Sequence, residues 1–165
     1  MRAVADASSL IHPARVPRFW ALLKETFEQI YIPEAVYKEI LKGKEVQSPE
    51  VPVVERAISD GWIKVVKVEH LLKLPENLGI GEKEAIALME QLNADWLLID
   101  DHLASATARL RGITVRSTTY LLIFWTRKRV ISQTKAIRLL DDLVESGYYL
   151  SSRDYISIKE LVTSA

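Results

Sequence analysis

The chain has 165 residues, 48% of them hydrophobic, with 22 basic and 22 acidic side chains and a net charge of zero. This length predicts one compact domain over residues 1–165 with a sizeable core; the composition excludes a disordered chain, and the charge balance leaves only local patches for contacts with nucleic acid. The lack of cysteine excludes disulfides, thiolate zinc sites and cysteine nucleophiles together, no apolar run approaches the ~20 residues of a membrane span, and no signal-peptide pattern opens the chain, so the expected location is cytoplasmic, with no membrane partner.

The first strand is predicted at Arg2 to Asp6, where Ala3-Val4-Ala5 runs straight into Asp6 and then Ser8 and Ser9. His12 falls on a predicted loop. A helix follows at Pro17 to Thr26, with Phe19, Leu22 and Leu23 on one face. Gln29 to Ile32 reads as the second strand, and Pro33 suits the first turn of a helix over Glu34 to Leu41, ended by Gly43. The polar segment Lys44 to Val51 reads as a loop and Val53 to Ile58 as a short helix. Trp62 to Val68 alternates as a third strand, at an edge, and Lys73 to Ile80, with Pro75 and Gly79, reads as a loop. Gly81 to Leu92 is an amphipathic helix with Ala85, Leu88, Met89 and Leu92 on one face. The apolar run Trp96-Leu97-Leu98-Ile99 has the length of a buried strand and stops at Asp100-Asp101, where a helix runs on to Arg111 and Gly112 ends it. Ile113 to Val115 is a short fifth strand. Ser117 or Thr118, Ser132, and Ser151 or Ser152 suit the caps of three more helices. Strands alternating with helices predict a parallel sheet covered on both faces, a three-layer α/β/α fold with about five strands.

In open α/β sheets, ligands bind just outside the carboxyl ends of the strands. Asp6 and Asp100/Asp101 both follow predicted strands and so share that rim. Carboxylates crowded there repel one another unless protonated or matched by a cation. The usual match for oxygen donors is Mg²⁺ or Mn²⁺. Each carboxylate also has a plainer reading. Asp6 and Asp101 are good helix caps, Glu82 and Glu84 lie in a helix first turn where the dipole favours negative charge, and Glu39 suits a solvated helix face. Their joint placement at strand and helix ends favours a shared site.

The residues resemble those of the PIN-domain nucleases, close to toxins of the VapC type. Val4-Ala5-Asp6-Ala7-Ser8-Ser9-Leu10-Ile11 looks like the family's opening strand, with its Asp and following Ser. Ile32-Pro33-Glu34-Ala35-Val36-Tyr37-Lys38-Glu39-Ile40 is similar to the second motif, which puts its acid on Glu39. Gly79-Ile80-Gly81-Glu82-Lys83-Glu84-Ala85 is similar to the third, with Glu84 in the acidic place, and Leu97-Leu98-Ile99-Asp100-Asp101 to the fourth. The tail Gly147-Tyr148-Tyr149-Leu150-Ser151 resembles one archaeal and bacterial branch. Two departures stand out: Glu84 replaces the Asp of many members, and Ile99 stands where many have Ser or Thr.

The resemblance implies a PIN-like fold and a Mg²⁺- or Mn²⁺-dependent ribonuclease that prefers single strands. It implies catalytic Asp6, Glu39, Glu84 and Asp101, with metal held by Asp6, Glu84, Asp101 and Asp100. Asp101 is expected to take the last family position, with Asp100 supporting it or binding through water, and Ser8 to orient a carboxylate or water. A bound ion would lower the pKa of an attacking water and offset charge on a phosphoryl oxygen. The expected role is the toxin of a toxin–antitoxin pair, with an antitoxin as partner. The alternatives are an RNA-processing nuclease without antitoxin and a non-catalytic PIN scaffold that binds RNA or protein; a phosphoacceptor receiver domain ranks below these.

Arg127, Lys128 and Arg129 form the main basic cluster, either a solvated helix end or a substrate-backbone contact. His70 and His102 are dispersed, and the four tryptophans read as core before base-stacking residues. No nucleophile-elbow sequence supports Ser-His-Asp catalysis, and Gly79-Ile80-Gly81 lacks the preceding strand of a dinucleotide fingerprint. The segment Thr118 to Trp125 is apolar nearly all round a helix, which predicts burial on more than one face and a homodimer with Phe124 or Trp125 near the contact.

Overall fold

A computed structural model describes residues 1–165. Five parallel strands form one sheet: β1 (Arg2–Ala5), β2 (Gln29–Pro33), β3 (Ile63–Val66), β4 (Trp96–Leu98) and β5 (Val115–Arg116), in the order β3-β2-β1-β4-β5. Nine helices surround it: α1 (Ser8–Ala14), α2 (Pro17–Thr26), α3 (Glu34–Leu41), α4 (Glu50–Ser59), α5 (Ile80–Leu92), α6 (His102–Leu110), α7 (Thr118–Arg127), α8 (Gln133–Glu145) and α9 (Ser152–Thr163). This is the α/β/α arrangement with a parallel sheet expected from the strand–helix alternation.

Period-two alternation divides the core. Ala3 and Ala5 join Ile30, Ile32 and Leu98 on one face, under a large cluster built from Leu10, Phe19, Leu23, Val36, Leu122, Trp125, Leu139 and Leu143. Val4, Leu97 and Ile99 point to the other face, under Ala85, Ile86, Leu88 and Met89 of α5 and Ala104 and Ala108 of α6. Both faces are therefore dry, which is why the central strands read as continuous apolar runs. β3 lies at an edge, as its weaker pattern predicted.

Several boundaries differ from the sequence expectation. α1 is an addition to it: Ser8 to Ala14 is helical with Pro13 inside it, so His12 is on a helix and not a loop. Its start is held by Asp6, whose Oδ1 accepts the Ser9 N–H at 2.9 Å. Lys44 to Val51 is not a plain loop. It contains a 3-10 turn over Lys42–Val46, a left-handed Gln47 and the start of α4 at Glu50. Glu50 is 4% exposed because Arg15 pairs with it, Nε to Oε2 at 3.0 Å and Nη2 to Oε1 at 3.2 Å. Burial alone would raise the Glu50 carboxyl, but the Arg15 guanidinium more than offsets this and leaves it below the usual range. Fifth-strand pairing falls on Val115–Arg116, one residue beyond the predicted end.

α7 does satisfy its apolar sides, but within one chain. The sheet, α8 and α9 enclose it, and Trp125 is 1% exposed. The Trp125 ring meets Phe19 edge-on at 4.9 Å, and its Nε1–H donates to Thr26 Oγ1 at 2.7 Å. Trp125 is thus a core residue and not a subunit contact. No helix is long and apolar enough to cross a membrane.

Candidate active site

Asp6 leaves the carboxyl end of β1 and Asp100 follows β4, the strand hydrogen-bonded beside it. The Asp6 N–H donates to Leu98 O at 3.1 Å, which carries the pairing up to the carboxylate itself. Asp6 is only 5% exposed. Its carboxylate accepts from Ser9 N–H at 2.9 Å and from Ser8 Oγ at 3.3 Å. Burial, helped by the charge of Asp100 and opposed by those donors, leaves its pKa raised to about 7. The plain reading of Asp6 as a cap is thus correct as far as it goes. A cap alone, however, has no reason to be buried against a second carboxylate.

Asp100 is held from three directions. Thr118 N–H donates to Oδ1 and Thr118 Oγ1 to Oδ2, both at 2.7 Å, and Tyr148 Oη donates to Oδ1 at 3.1 Å. Thr118 sits just past β5, the same strand-end position that Asp6 and Asp100 occupy on β1 and β4. Tyr148 arrives from the turn between α8 and α9. Burial and the Asp100 charge push its hydroxyl well above the usual range, so it stays a donor. His12 packs edge-on against the Tyr148 ring at 5.4 Å. Its imidazole is pushed below its usual pKa by burial and then by Arg15, so it is neutral at neutral pH. Arg15 Nη1 donates to Ser146 O at 3.0 Å and fixes the turn that delivers Tyr148.

Thr118 and Tyr148 were not among the sequence candidates for the site. The strand-end position of Thr118 was the available signal; Tyr148 had none beyond membership in the tail motif. Replacing Tyr148 with Phe removes one donor to a charged acceptor while Thr118 keeps two. The expected cost is about 1–2 kcal/mol, read as a lower urea midpoint at unchanged slope.

Asp101, the neighbour of Asp100, has another task. Its Oδ1 accepts the Ala104 N–H at 2.8 Å and caps α6, and the residue is exposed. Ser8, Asp100, Asp101, His102, Ser117, Thr119, Tyr148 and Tyr149 line one cleft of about 530 Å³. Glu39, Glu82 and Glu84 line a second cleft, together with Lys38 and Lys42. There Glu84 Oε2 accepts the Ala35 N–H at 3.0 Å at the start of α3, and Glu82 Oε2 accepts the Gly79 N–H at 2.9 Å at the start of α5. Burial first, then the charges of Asp101 and Glu39, raise the Glu82 carboxyl. The two clefts therefore adjoin electrically through Asp101 and Glu82. Within the second cleft, Gly81 permits the close approach of α5 to α3: a Cβ there would meet Glu39 Oε2 at 3.2 Å and Val36 Cγ2 at 3.3 Å.

The structure thus brings Asp6 and Asp100 together, places Asp101 at the junction, and sets Glu39 and Glu84 in the neighbouring cleft. No three of these side chains close around a single point as tightly as bound metal ligands do. The donor chemistry around Asp6 and Asp100 nonetheless fits a hard divalent cation: the charged groups there are carboxylates, the supporting side chains are hydroxyls, and the mutual repulsion is of the kind a cation relieves. Arg127, Lys128 and Arg129 lie elsewhere. α7 starts beside Asp100 and runs about 15 Å away from it, so Lys128 at its end meets Met1 and Leu22 at the opposite, amino-terminal end of the strands.

A family model described as DUF3368, PIN domain, matches residues 2–164. The chain belongs to this PIN-domain family. PIN domains are generally nucleases that act on RNA and typically use divalent metals. Among solved structures, this PIN domain is similar to a PilT N-terminus domain protein from the hyperthermophilic archaeon Sulfolobus solfataricus P2, at 16% identity and TM-score 0.51. That match covers 92% of this chain and 98% of the other. A domain of a functionally unknown protein from Methanocaldococcus jannaschii DSM 2661 aligns at 18% identity, over 70% of this chain and 89% of that one, with a TM-score of 0.46. No curated protein matches the chain. At these identities the first likeness speaks for the fold alone.

Proposed function

We propose that this PIN domain is a metal-dependent endoribonuclease that hydrolyses phosphodiester bonds of single-stranded RNA. The observation that carries the reading is Asp6, a carboxyl buried at the end of β1 and set against the charge of Asp100 at the end of β4. Folding a domain around such a pair costs stability that a bound cation would restore, and such perturbed carboxyls cluster at functional sites. A bound Mg²⁺ or Mn²⁺ supplies Lewis acidity for attack on a phosphodiester.

The chain's own residues do the rest. Asp6 and Asp100 are the proposed holders of the ion. Thr118 and Tyr148 keep Asp100 oriented, and Ser8 keeps Asp6 oriented. Asp101, half occupied by its cap, and Glu84 complete the acidic surround from the two clefts, with Glu39 beside them. We give Asp100 the weight that the family pattern gives Asp101, because the charge of Asp100 acts on the Asp6 carboxyl while Asp101 caps α6.

The test compares Asp100→Asn with Asp101→Asn on a fluorescent single-stranded RNA. Asp100→Asn is expected to lose activity on the order of a hundredfold or more, and Asp101→Asn distinctly less. Cleavage that survives Asp100→Asn, or persists in excess chelator, overturns the assignment. The four-motif resemblance to VapC-type toxins supports a toxin role, an antitoxin partner and a homodimer. Growth arrest on expression, relieved by the product of a neighbouring small reading frame, tests the first two, and sedimentation equilibrium tests the third.

A further inference from the structure

We infer that Tyr149 is a stacking platform for a nucleobase of single-stranded RNA, set at the mouth of the Asp100 cleft. The inference rests on the ribonuclease reading and names the part of the substrate this cleft grips. Two consecutive tyrosines are treated in opposite ways. Tyr148 turns inward to Asp100, while Tyr149 is 87% exposed. Tyr149 lines the same cleft as Ser8, Asp100, Asp101 and His102. An exposed aromatic ring is ordinary by itself. Here its backbone is fixed on both sides. Before it, Arg15 binds Ser146 O and the Tyr148 N–H donates to Leu143 O at 3.0 Å; after it, Ser151 caps α9 by accepting the Asp154 N–H at 3.0 Å. A ring held on a fixed backbone has only two side-chain torsions to lose when a ligand covers it.

Charge argues for a base over a phosphate as the ligand of this wall. No Lys or Arg lines the cleft, whereas Asp100, Asp101 and Asp154 do. Away from the ion that Asp6 and Asp100 are proposed to hold, a phosphate meets no cationic Lys or Arg on this wall, so grip there must come from contacts that carry no charge. Stacking on a tyrosine face is such a contact, and every base offers a π-face. A paired base keeps its faces covered by its own neighbours, so this wall selects single strands.

The experiment measures anisotropy of a fluorescein-labelled single-stranded oligoribonucleotide on the full-length protein with Asp6→Asn in the background to prevent cutting. Tyr149→Ala is expected to weaken binding about tenfold or more, while Tyr149→Phe, which keeps the ring, binds as the parent does. The loss should be the same at low and high salt, because no counterion release is involved, and it should shrink on an oligomer of abasic sites. A parent that binds RNA only as tightly as its Tyr149→Ala variant overturns the stacking inference and leaves the ribonuclease reading intact. So does a loss that fades with salt, or one shared by Tyr149→Phe. A parent that binds no single-stranded RNA, together with a wild type that cuts none, overturns both. Because Tyr149 is almost fully exposed, circular dichroism of Tyr149→Ala should match the parent.

Discussion

Asp6→Asn should abolish cleavage and, in chelator above pH 7, make the protein more stable than wild type. The sign follows from the proton balance. The Asp6 carboxyl titrates near 4 in the unfolded chain and at about 7 in the folded one. Below pH 4 both states hold the proton and its contribution is zero. Between pH 4 and 7 the folded state holds a proton that the unfolded state has released, so stability falls as pH rises. Above pH 7 both have released it and the full penalty remains, roughly 4 kcal/mol at most for a shift of this size. The asparagine of the variant carries no charge at any pH, still offers an oxygen to the Ser9 N–H, and removes that slope. Urea unfolding of wild type and variant at pH 5 and pH 8 in chelator reads the effect directly. A variant that loses stability equally at both values would mean that hydrogen bonding to Asp6 outweighs its burial. Adding Mn²⁺ at pH 8 should recover part of the loss in wild type and none in the variant.

The second large effect is expected far from the carboxylates. Trp125→Ala removes the largest fully buried side chain, its edge contact with Phe19 and its hydrogen bond to Thr26. Truncations of this kind cost about 3–5 kcal/mol, against a total stability of about 5–15 kcal/mol for a domain. The urea midpoint should fall steeply with little change in slope, and Phe124→Ala, whose ring is only half-buried, should cost clearly less. A near-neutral Trp125→Ala would return this residue to the surface and reopen the idea of a contact there. For the same reason Trp125→Glu would report on folding and not on oligomeric state.

The sheet was legible because its strands are short apolar runs with abrupt polar ends, buried on both faces, and such runs need no partner information to be seen. α2, α3, α5 and the three cap-led helices were legible for the matching reason that period and capping residues agree. α1 was not, because Pro13 breaks the usual helix signal and its start is fixed by a side chain placed before it, at Asp6. Asp6 could be singled out from its position alone. Its partner could not. Asp100 and Asp101 are adjacent, and only the folded structure shows that Asp100 is held by Thr118 and Tyr148 while Asp101 caps α6. The all-round apolar character of α7 was read correctly as double burial. The occupants, α8 and α9, come from later in the chain, and amphipathic pattern does not say which element covers which face.

The Arg15–Ser146 and Tyr148–Asp100 contacts join residues 131 and 48 positions apart. During synthesis, then, the first strand and its acidic end are made well before the donor that steadies the opposing acid. A chain halted before Tyr148 has both carboxylates and lacks part of their support. Until Tyr148 has been added, Asp100 has only Thr118 to steady it.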